Sequence, residues 1–339
     1  MSITLKELAE KLNVSISTVS KVMNGKGTVS DATRKLITET ALKLNYTPNE
    51  NARSLRTQNS KTIGLIIPDI INPFYAYLVK SIEEKCQAEG YSVILCNCNY
   101  NLQREYDYFD LLRAKNVNGI ICAAVGNMKN IEIKSKEILV NINEQFPEDK
   151  LFDCVSINNW DAMYSLTQYV INMGHKDIAY VSGPLVNSTP RLRSDGFFKC
   201  MQENDIPVSG EFVYEGNYEI ETGRSAAKKL LLGKKLPTAV ICHNNVIAYG
   251  FCSALNEVGY DVPKDISVAT FDTLDTGNMS KLKFTCILQP VEQLGHKCVE
   301  LILKKMNKEI PRSQYTKIEL PYELVFGSTI RNLNRTSEE

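Results

Sequence analysis

Residues 4–25 read TLKELAEKLNVSISTVSKVMNG, and their spacing decides how the N-terminal part of the chain folds. Leu5, Leu8, Ala9 and Leu12 recur at i, i+3, i+4 and i+7, the periodicity of a helix with one buried face. Asn13-Val14-Ser15 interrupts it, and Ser15 is placed to cap a second helix. In that helix Ile16, Val19 and Met23 share a face with Val22 beside them, so Ser17, Thr18, Ser20 and Lys21 point elsewhere. Asn24-Gly25 tolerates the left-handed conformation that ends a helix. Ser30 can cap a third helix with Leu36, Ile37, Ala41 and Leu44 inward, which Pro48 stops. The expected product is a small all-α helix-turn-helix head.

The outward row of that second helix has a use. Short hydroxyls allow close approach to a major groove and donate to phosphates or bases, and Lys21 can reach guanine acceptors. The alternative is a three-helix structural domain, against which the hydroxyl-rich face stands. Charge points the same way. Residues 1–60 carry nine basic and five acidic side chains, while the whole chain of 339 residues has no net charge.

The ten cysteines show no CxxC pair, and with only three scattered histidines no metal shell is assembled. Reduced thiols in a core are expected, with no metal or other cofactor. No charged-then-apolar leader and no apolar run of membrane-spanning length is present, so the chain is expected to be soluble and cytoplasmic, with no membrane partner.

From Thr62 onward short β-rich apolar runs alternate with longer helical stretches. Strands are expected at 62–67, 91–96, 119–123, 138–142, 178–182, 239–242 and 267–271, with helices near 74–89, 104–115, 160–173, 191–203, 222–232, 245–258 and 291–306. Such alternation gives parallel α/β sheets with right-handed crossovers, and two sets in succession give two similar lobes. Ligands of open α/β sheets sit beyond the carboxyl ends of strands. Residues there include Asp69 to Tyr75, Ser182 to Arg193, Asn217-Tyr218, His243 to Asn245 and Asp272-Thr273. Phe74, Tyr75, Tyr218 and Trp160 can stack on a sugar ring or base, or pack between lobes.

Thr4 to Ala9, Val14 to Val22, Tyr46-Thr47-Pro48-Asn49, Ala52-Arg53-Ser54-Leu55-Arg56 and Thr62 to Asp69 together resemble the signature of the lactose-repressor (LacI/GalR) family, and the likeness continues to the C-terminus. It implies a multidomain chain: a helix-turn-helix head over 1–48, a hinge and linker over 49–61, and an α/β periplasmic-binding-protein-like (type I) two-lobed core over 62–339. The N-lobe would combine about 62–159, 288–320 and the tail, and the C-lobe about 160–287, with crossings near 158–162, 285–290 and 319–323. It further implies that residues 49–56 form a helix only on operator DNA. Two hinges of a homodimer would then enter the minor groove with Leu55 as the wedge, a use of apolar side chains that offsets the cost of unstacking. The DNA-facing set implied is Leu5, Ser15, Ile16, Ser17, Thr18, Ser20, Lys21, Asn24, Ser30, Tyr46, Asn49, Ala52, Arg53, Leu55 and Arg56.

The resemblance also places effector contacts on Arg193, in Arg193-Ser194-Asp195-Gly196-Phe197, and on Asn244 and Asp272; Asp69, Phe74, Tyr75, Thr189 and Tyr218 complete the expected effector set. Two departures stand out. Lys21 replaces a frequent arginine, giving a point cation without the bidentate fork. Asn158-Asn159, Asn244-Asn245 and Asp272-Thr273 each lack a carboxylate that many members carry, so the expected effector could bear a phosphate or carboxylate, as a sugar phosphate does.

The leading expectation is therefore a sequence-specific repressor of carbohydrate genes that binds a pseudo-palindromic double-stranded operator as a homodimer under control of a small-molecule effector, expected to be a carbohydrate. A plain sugar-binding module would lack the head. An enzyme would need a nucleophile elbow, a glycine-rich phosphate loop or a Glu/His metal pair, none of which occurs. Release and strengthening of DNA binding by the effector are both compatible with these residues.

Overall fold

The computed structural model of the chain describes residues 3–23, 25, 27–46, 59–126, 137–143, 152–273 and 282–334. These belong to two compact units, Met1–Lys61 and Thr62–Glu339.

The first unit has α1 (Leu5–Leu12), α2 (Ile16–Met23) and α3 (Asp31–Lys43). A capping box opens α1: Thr4 Oγ1 accepts from the Glu7 N–H at 3.2 Å, and the Glu7 carboxylate accepts from the Thr4 N–H at 2.7 Å. The Thr4 N–H and, at 2.9 Å, the Thr4 hydroxyl both donate to the Glu7 carboxylate and hold it below its ordinary pKa. Asn13 ends the helix at φ 52°. Ser15 and Ser30 accept from the N–H groups of Thr18 and Thr33, capping α2 and α3. Leu8, Ala9, Val19, Val22, Ile37 and Ala41 form the buried core. Leu36, expected inside, is 50% exposed, and Ile16, read both on the Val19 face and in the DNA-facing set, is 47% exposed. Ile16 is the first residue of α2, with no turn above it, and Leu36 lies about 100° round α3 from the Ile37–Ala41 stripe.

In chain order the second unit runs β1 (Thr62–Ile67), α4 (Pro73–Ala88), β2 (Ser92–Asn97), α5 (Leu102–Ala114), β3 (Gly119–Cys122), β4 (Leu139–Ile142), β5 (Asp153–Ile157) and α6 (Asn159–Asn172). It continues through β6 (Ile178–Ser182), α7 (Ser188–Glu203), β7 (Val213–Glu215), α8 (Ile220–Leu231), β8 (Ala239–Cys242), α9 (Asn245–Glu257) and β9 (Ser267–Phe271). The remainder is β10 (Thr285–Leu288), α10 (Val291–Met306), β11 (Lys317–Leu320) and β12 (Glu323–Val325).

Two six-stranded sheets result, in the orders β11-β5-β4-β3-β1-β2 and β12-β10-β9-β8-β6-β7. Among the described strands only β12 runs antiparallel to its neighbour. Helices α4 and α10 bury Leu78, Ile82, Val299 and Ile302 against Ile63, Leu65, Val140 and Val155 of the first sheet, while Phe109 and Leu112 of α5 cover Ile66, Ile120 and Cys122 on its other face. The second sheet is sandwiched between α8 with α9 and α6 with α7. Helices α8 and α9 cross closely because of two glycines. A Cβ on Gly223 would lie 2.0 Å from the Ile247 carbonyl oxygen, and one on Gly250 would lie 2.0 Å from that of Ile220.

The strands β5, β7, β10, β11 and β12 escape a reading of apolar runs. Asp153 opens β5, yet both Asp153 and Lys305 of α10 are buried and form an ion pair at 2.5 Å. The other Asp153 oxygen accepts from the Thr316 N–H at 2.9 Å, which seats β11 on β5. The chain passes between the sheets at 158, at 289–290 and at 321–322. The tail corrects the expectation that placed it with the first lobe. Thr329 O accepts from the Val268 N–H and Met173 O from the Leu333 N–H, and His175 bonds through its two ring nitrogens to Thr238 Oγ1 and the Arg331 carbonyl. Once β12 pairs with β10, the chain after it is already against the second sheet. None of the ten cysteines forms a disulfide, and nine of them are buried.

Candidate functional site

The outer side of α2 is a polar face on a packed support. Val19 and Val22 fix its inner side, so Ile16, Ser17 and Lys21 are exposed and Thr18 and Ser20 half-buried. The Ser15 hydroxyl lies 2.8 Å from both Ser17 Oγ and Thr18 Oγ1, so the hydroxyls at the helix start organise one another. The Lys21 stem passes over Gly27, where a Cβ would meet Lys21 Cδ at 3.1 Å and φ is +81°. Leu5 and Tyr46 are half-buried against the head core, and the Ser30 hydroxyl caps α3. Asn24, Asn49, Ala52, Arg53, Leu55 and Arg56, with the whole 49–56 segment, lie outside the described residues.

The second unit contains a cleft of about 740 Å³, open mouth included, at the carboxyl ends of strands of both sheets. Of the eight expected effector residues it is lined by Phe74, Tyr75, Thr189, Arg193, Tyr218, Asn244 and Asp272. Asp69 is not among the lining residues: its carboxylate accepts from the Ile71 N–H at 3.0 Å, closing the turn before α4. Trp160 instead stacks on Tyr164, one turn along α6, at 5.2 Å. Thr189 does line the cleft, but its hydroxyl donates to the Asn143 carbonyl at 2.5 Å. Asn244 Oδ1 accepts from the Ile247 N–H at 2.9 Å, capping α9.

Arg193 is the centre of the second-lobe wall. Its guanidinium is buried 3.7 Å over the Phe271 ring; Nε donates to Asn159 Oδ1 at 2.8 Å and Nη1 to the His243 carbonyl at 2.9 Å. His243 is buried beside it with Nδ1 3.3 Å from the Tyr180 hydroxyl. Burial, then the neighbouring guanidinium, pushes the imidazole pKa well below its usual value, so the ring is neutral. Burial also pushes Asp272 up to about 6 against the opposing pull of Arg193 and Gln289. Of the three positions lacking a carboxylate, only Asn245 lines the cleft; Asn158 caps α6 through the Asp161 N–H, and Thr273 is not in the lining.

A chain of bonds across the lobes fixes the polarity of the opposite wall. The Asp272 carboxylate accepts from Gln289 Nε2 at 2.7 Å, and a carboxylate can only accept. Gln289 therefore turns its Oε1 to Asn143, whose Nδ2 donates to it at 2.8 Å. Asn143 is left with Oδ1 buried and without a partner among the described residues. Asn245 is the converse: its Oδ1 accepts from the Val246 N–H at 2.9 Å, and its buried Nδ2 has no partner among them.

The lobes also touch directly. Asn187 Nδ2 donates to the carbonyls of Ala124 and Val125 at 2.9 and 3.3 Å, and the rings of Tyr100 and Tyr218 stack at 5.3 Å. Gly183 makes room for Tyr218, since a Cβ there would lie 2.2 Å from the ring. The sequence reading missed Tyr100, Asn143 and Gln289. Tyr100 and Asn143 follow β2 and β4, so the same strand-end rule would have found both; Gln289 follows β10, a strand it did not anticipate.

Comparison with known proteins matches the same two regions. Residues 4–49 match the family described as bacterial regulatory proteins, lacI family, and residues 60–325 match periplasmic binding proteins and sugar binding domain of LacI family. The chain is 34% identical over 333 residues to the HTH-type transcriptional repressor PurR of Histophilus somni, covering 97% of this chain and 99% of that protein. It is 34% identical to the repressor of the same name from Actinobacillus pleuropneumoniae serotype 3, covering 98% and 99%. The fold is that of the solved lac repressor dimer bound to operator and the anti-inducer ONPF, with TM-score 0.86 and 24% identity over 98% of this chain and 100% of that one. With an α-helical head, a two-sheet α/β core and these relatives along nearly its whole length, the chain belongs to the LacI family of DNA-binding transcriptional repressors.

Proposed function

We propose that the protein is a homodimeric regulator that binds a pseudo-palindromic operator and changes its affinity when a small carbohydrate, a sugar or sugar phosphate, occupies the cleft. The observation that carries this reading is the cleft itself. Its two walls come from different lobes, and buried polar groups on each, Asn143 Oδ1 and Asn245 Nδ2, lack partners among the described residues. A ligand that supplies both partners favours one lobe arrangement over the other, which is what control requires. Phe74, Tyr75, Tyr100 and Tyr218 offer ring faces of the kind that pack on a sugar.

In this reading residues 1–48 are the DNA-binding head, with α2 in the major groove, 49–61 the hinge and 62–339 the effector and dimerisation core. A second copy suits the exposed apolar side chains of the first lobe, Ile71, Tyr77 and Leu95, and two-fold symmetry suits a pseudo-palindrome. We assign the protein no catalytic step. The test is a gel shift on DNA upstream of the chain's own gene, with neutral pentoses and hexoses and their phosphates added in turn. A sharp, salt-sensitive complex altered by one member of the panel is expected; a complex indifferent to all of them would refute carbohydrate control.

A further inference from the structure

The cleft walls differ in hydrogen-bonding sense, and that difference specifies the ligand further. On the second-lobe wall two of the five Arg193 N–H groups are engaged, leaving three without a partner among the described residues. Asn245 Nδ2 adds donors, and its identity is fixed because Oδ1 is held by Val246. Where the Tyr180 hydroxyl donates to Nδ1 of the neutral His243 ring, Nε2 carries the proton and is a further donor. The acid of this wall, Asp272, has both oxygens occupied by Gln289, at 3.3 and 2.7 Å. The first-lobe wall offers the opposite at Asn143, whose buried Oδ1 is an acceptor without a partner among the described residues.

We propose that the effector carries an oxyanion, the phosphate or carboxylate of a hydroxylated small molecule, seated against Arg193, His243 and Asn245 with a hydroxyl turned to Asn143. This deepens the proposed function and rests on it for the role of the cleft. A bound anion meets His243 and Asp272, which face it together with Arg193, Tyr180 and Tyr218 from the second lobe and Tyr75 and Tyr100 from the first. The anion stabilises the imidazolium of His243, which takes up a proton on binding, so affinity rises as pH falls.

Sulfate is the probe, because its charge does not change over this range. Thermal unfolding of the full-length protein is followed against millimolar sodium sulfate, with sodium chloride of matched ionic strength as the reference. Sulfate should stabilise the wild type beyond chloride, with an apparent Kd that tightens about tenfold between pH 8 and pH 6, equivalent to one linked proton over part of that span. Asn245→Asp keeps the acceptor for Val246 and replaces the donor by a carboxylate, and should lose the sulfate effect while folding normally in chloride. His243→Gln should keep sulfate binding but flatten its pH profile. A sulfate effect no larger than that of chloride, or one unchanged in Asn245→Asp, overturns the proposal. Stabilisation by a neutral hexose without any by sulfate overturns the oxyanion while leaving a carbohydrate-controlled regulator standing.

Discussion

The outer face of α2 and the cleft are both polar binding surfaces, built by opposite means. On α2 the polar groups are exposed or half-buried and close in sequence, and the Ser15, Ser17 and Thr18 hydroxyls bond to one another. In the cleft the central groups are buried and fixed by residues far away in the chain, as Gln289 fixes Asn143 and Asn159 fixes Arg193. An exposed face tolerates replacement of any one group, because water takes over its bonds. A buried network does not, because the remaining partner keeps its desolvation cost.

The comparison can be broken first at its supports. Leu8 is fully buried in a head with few other core residues, so Leu8→Ala should cost about 2–5 kcal/mol and unfold the head. Calorimetry should then show the melt of Thr62–Glu339 unchanged while operator binding is lost; a retained gel shift contradicts this. Arg193→Ala is next. It leaves the Asn159 and His243 acceptors unpaired and should weaken effector binding by about two orders of magnitude, since a buried charge-assisted bond contributes about 1.5–3 kcal/mol. Titration calorimetry with the compound found active in the gel-shift panel measures it, and operator affinity without effector should stay within a few-fold of wild type.

On the exposed face the effects should be smaller. Lys21→Ala should weaken operator binding by about tenfold and lower the slope of log affinity against log salt by about one, as expected for one lost phosphate or base contact. A hundredfold loss would mean that α2 behaves like the cleft. The smallest effect is that of pH on the body. Asp272 titrates at about 6 when folded against 3.8 as a free side chain. Its raised pKa contributes stability that is present below 3.8 and lost as pH rises through about 6, so the body should melt at higher temperature near pH 5 than at pH 7 from this group alone. Asp272→Asn should flatten that part of the profile.

What the sequence revealed follows the same division. Helix α2 and its caps could be read directly, because Val19 and Val22 are three residues apart and Ser15 is next to the helix it caps. Leu36 was misplaced where periodicity ran off the buried stripe of α3. The sheets of the body were legible wherever a strand is a continuous apolar run, as β1 and β8 are, and not where a buried Asp153 is neutralised by Lys305 from a helix some 150 residues later. In the cleft, strand ends pointed to Arg193, Tyr218 and Asp272. The relay from Asp272 through Gln289 to Asn143 joins three distant segments, and no local pattern encodes it.

The central claim is that the cleft controls the head. Operator affinity of wild type and Arg193→Ala, measured by fluorescence anisotropy across the panel of neutral sugars and sugar phosphates, tests it most directly. At least one compound should change wild-type affinity by about tenfold or more, which is about 1.4 kcal/mol of coupling, and leave Arg193→Ala unaffected. An unchanged affinity across the panel, or an equal change in both proteins, would contradict it.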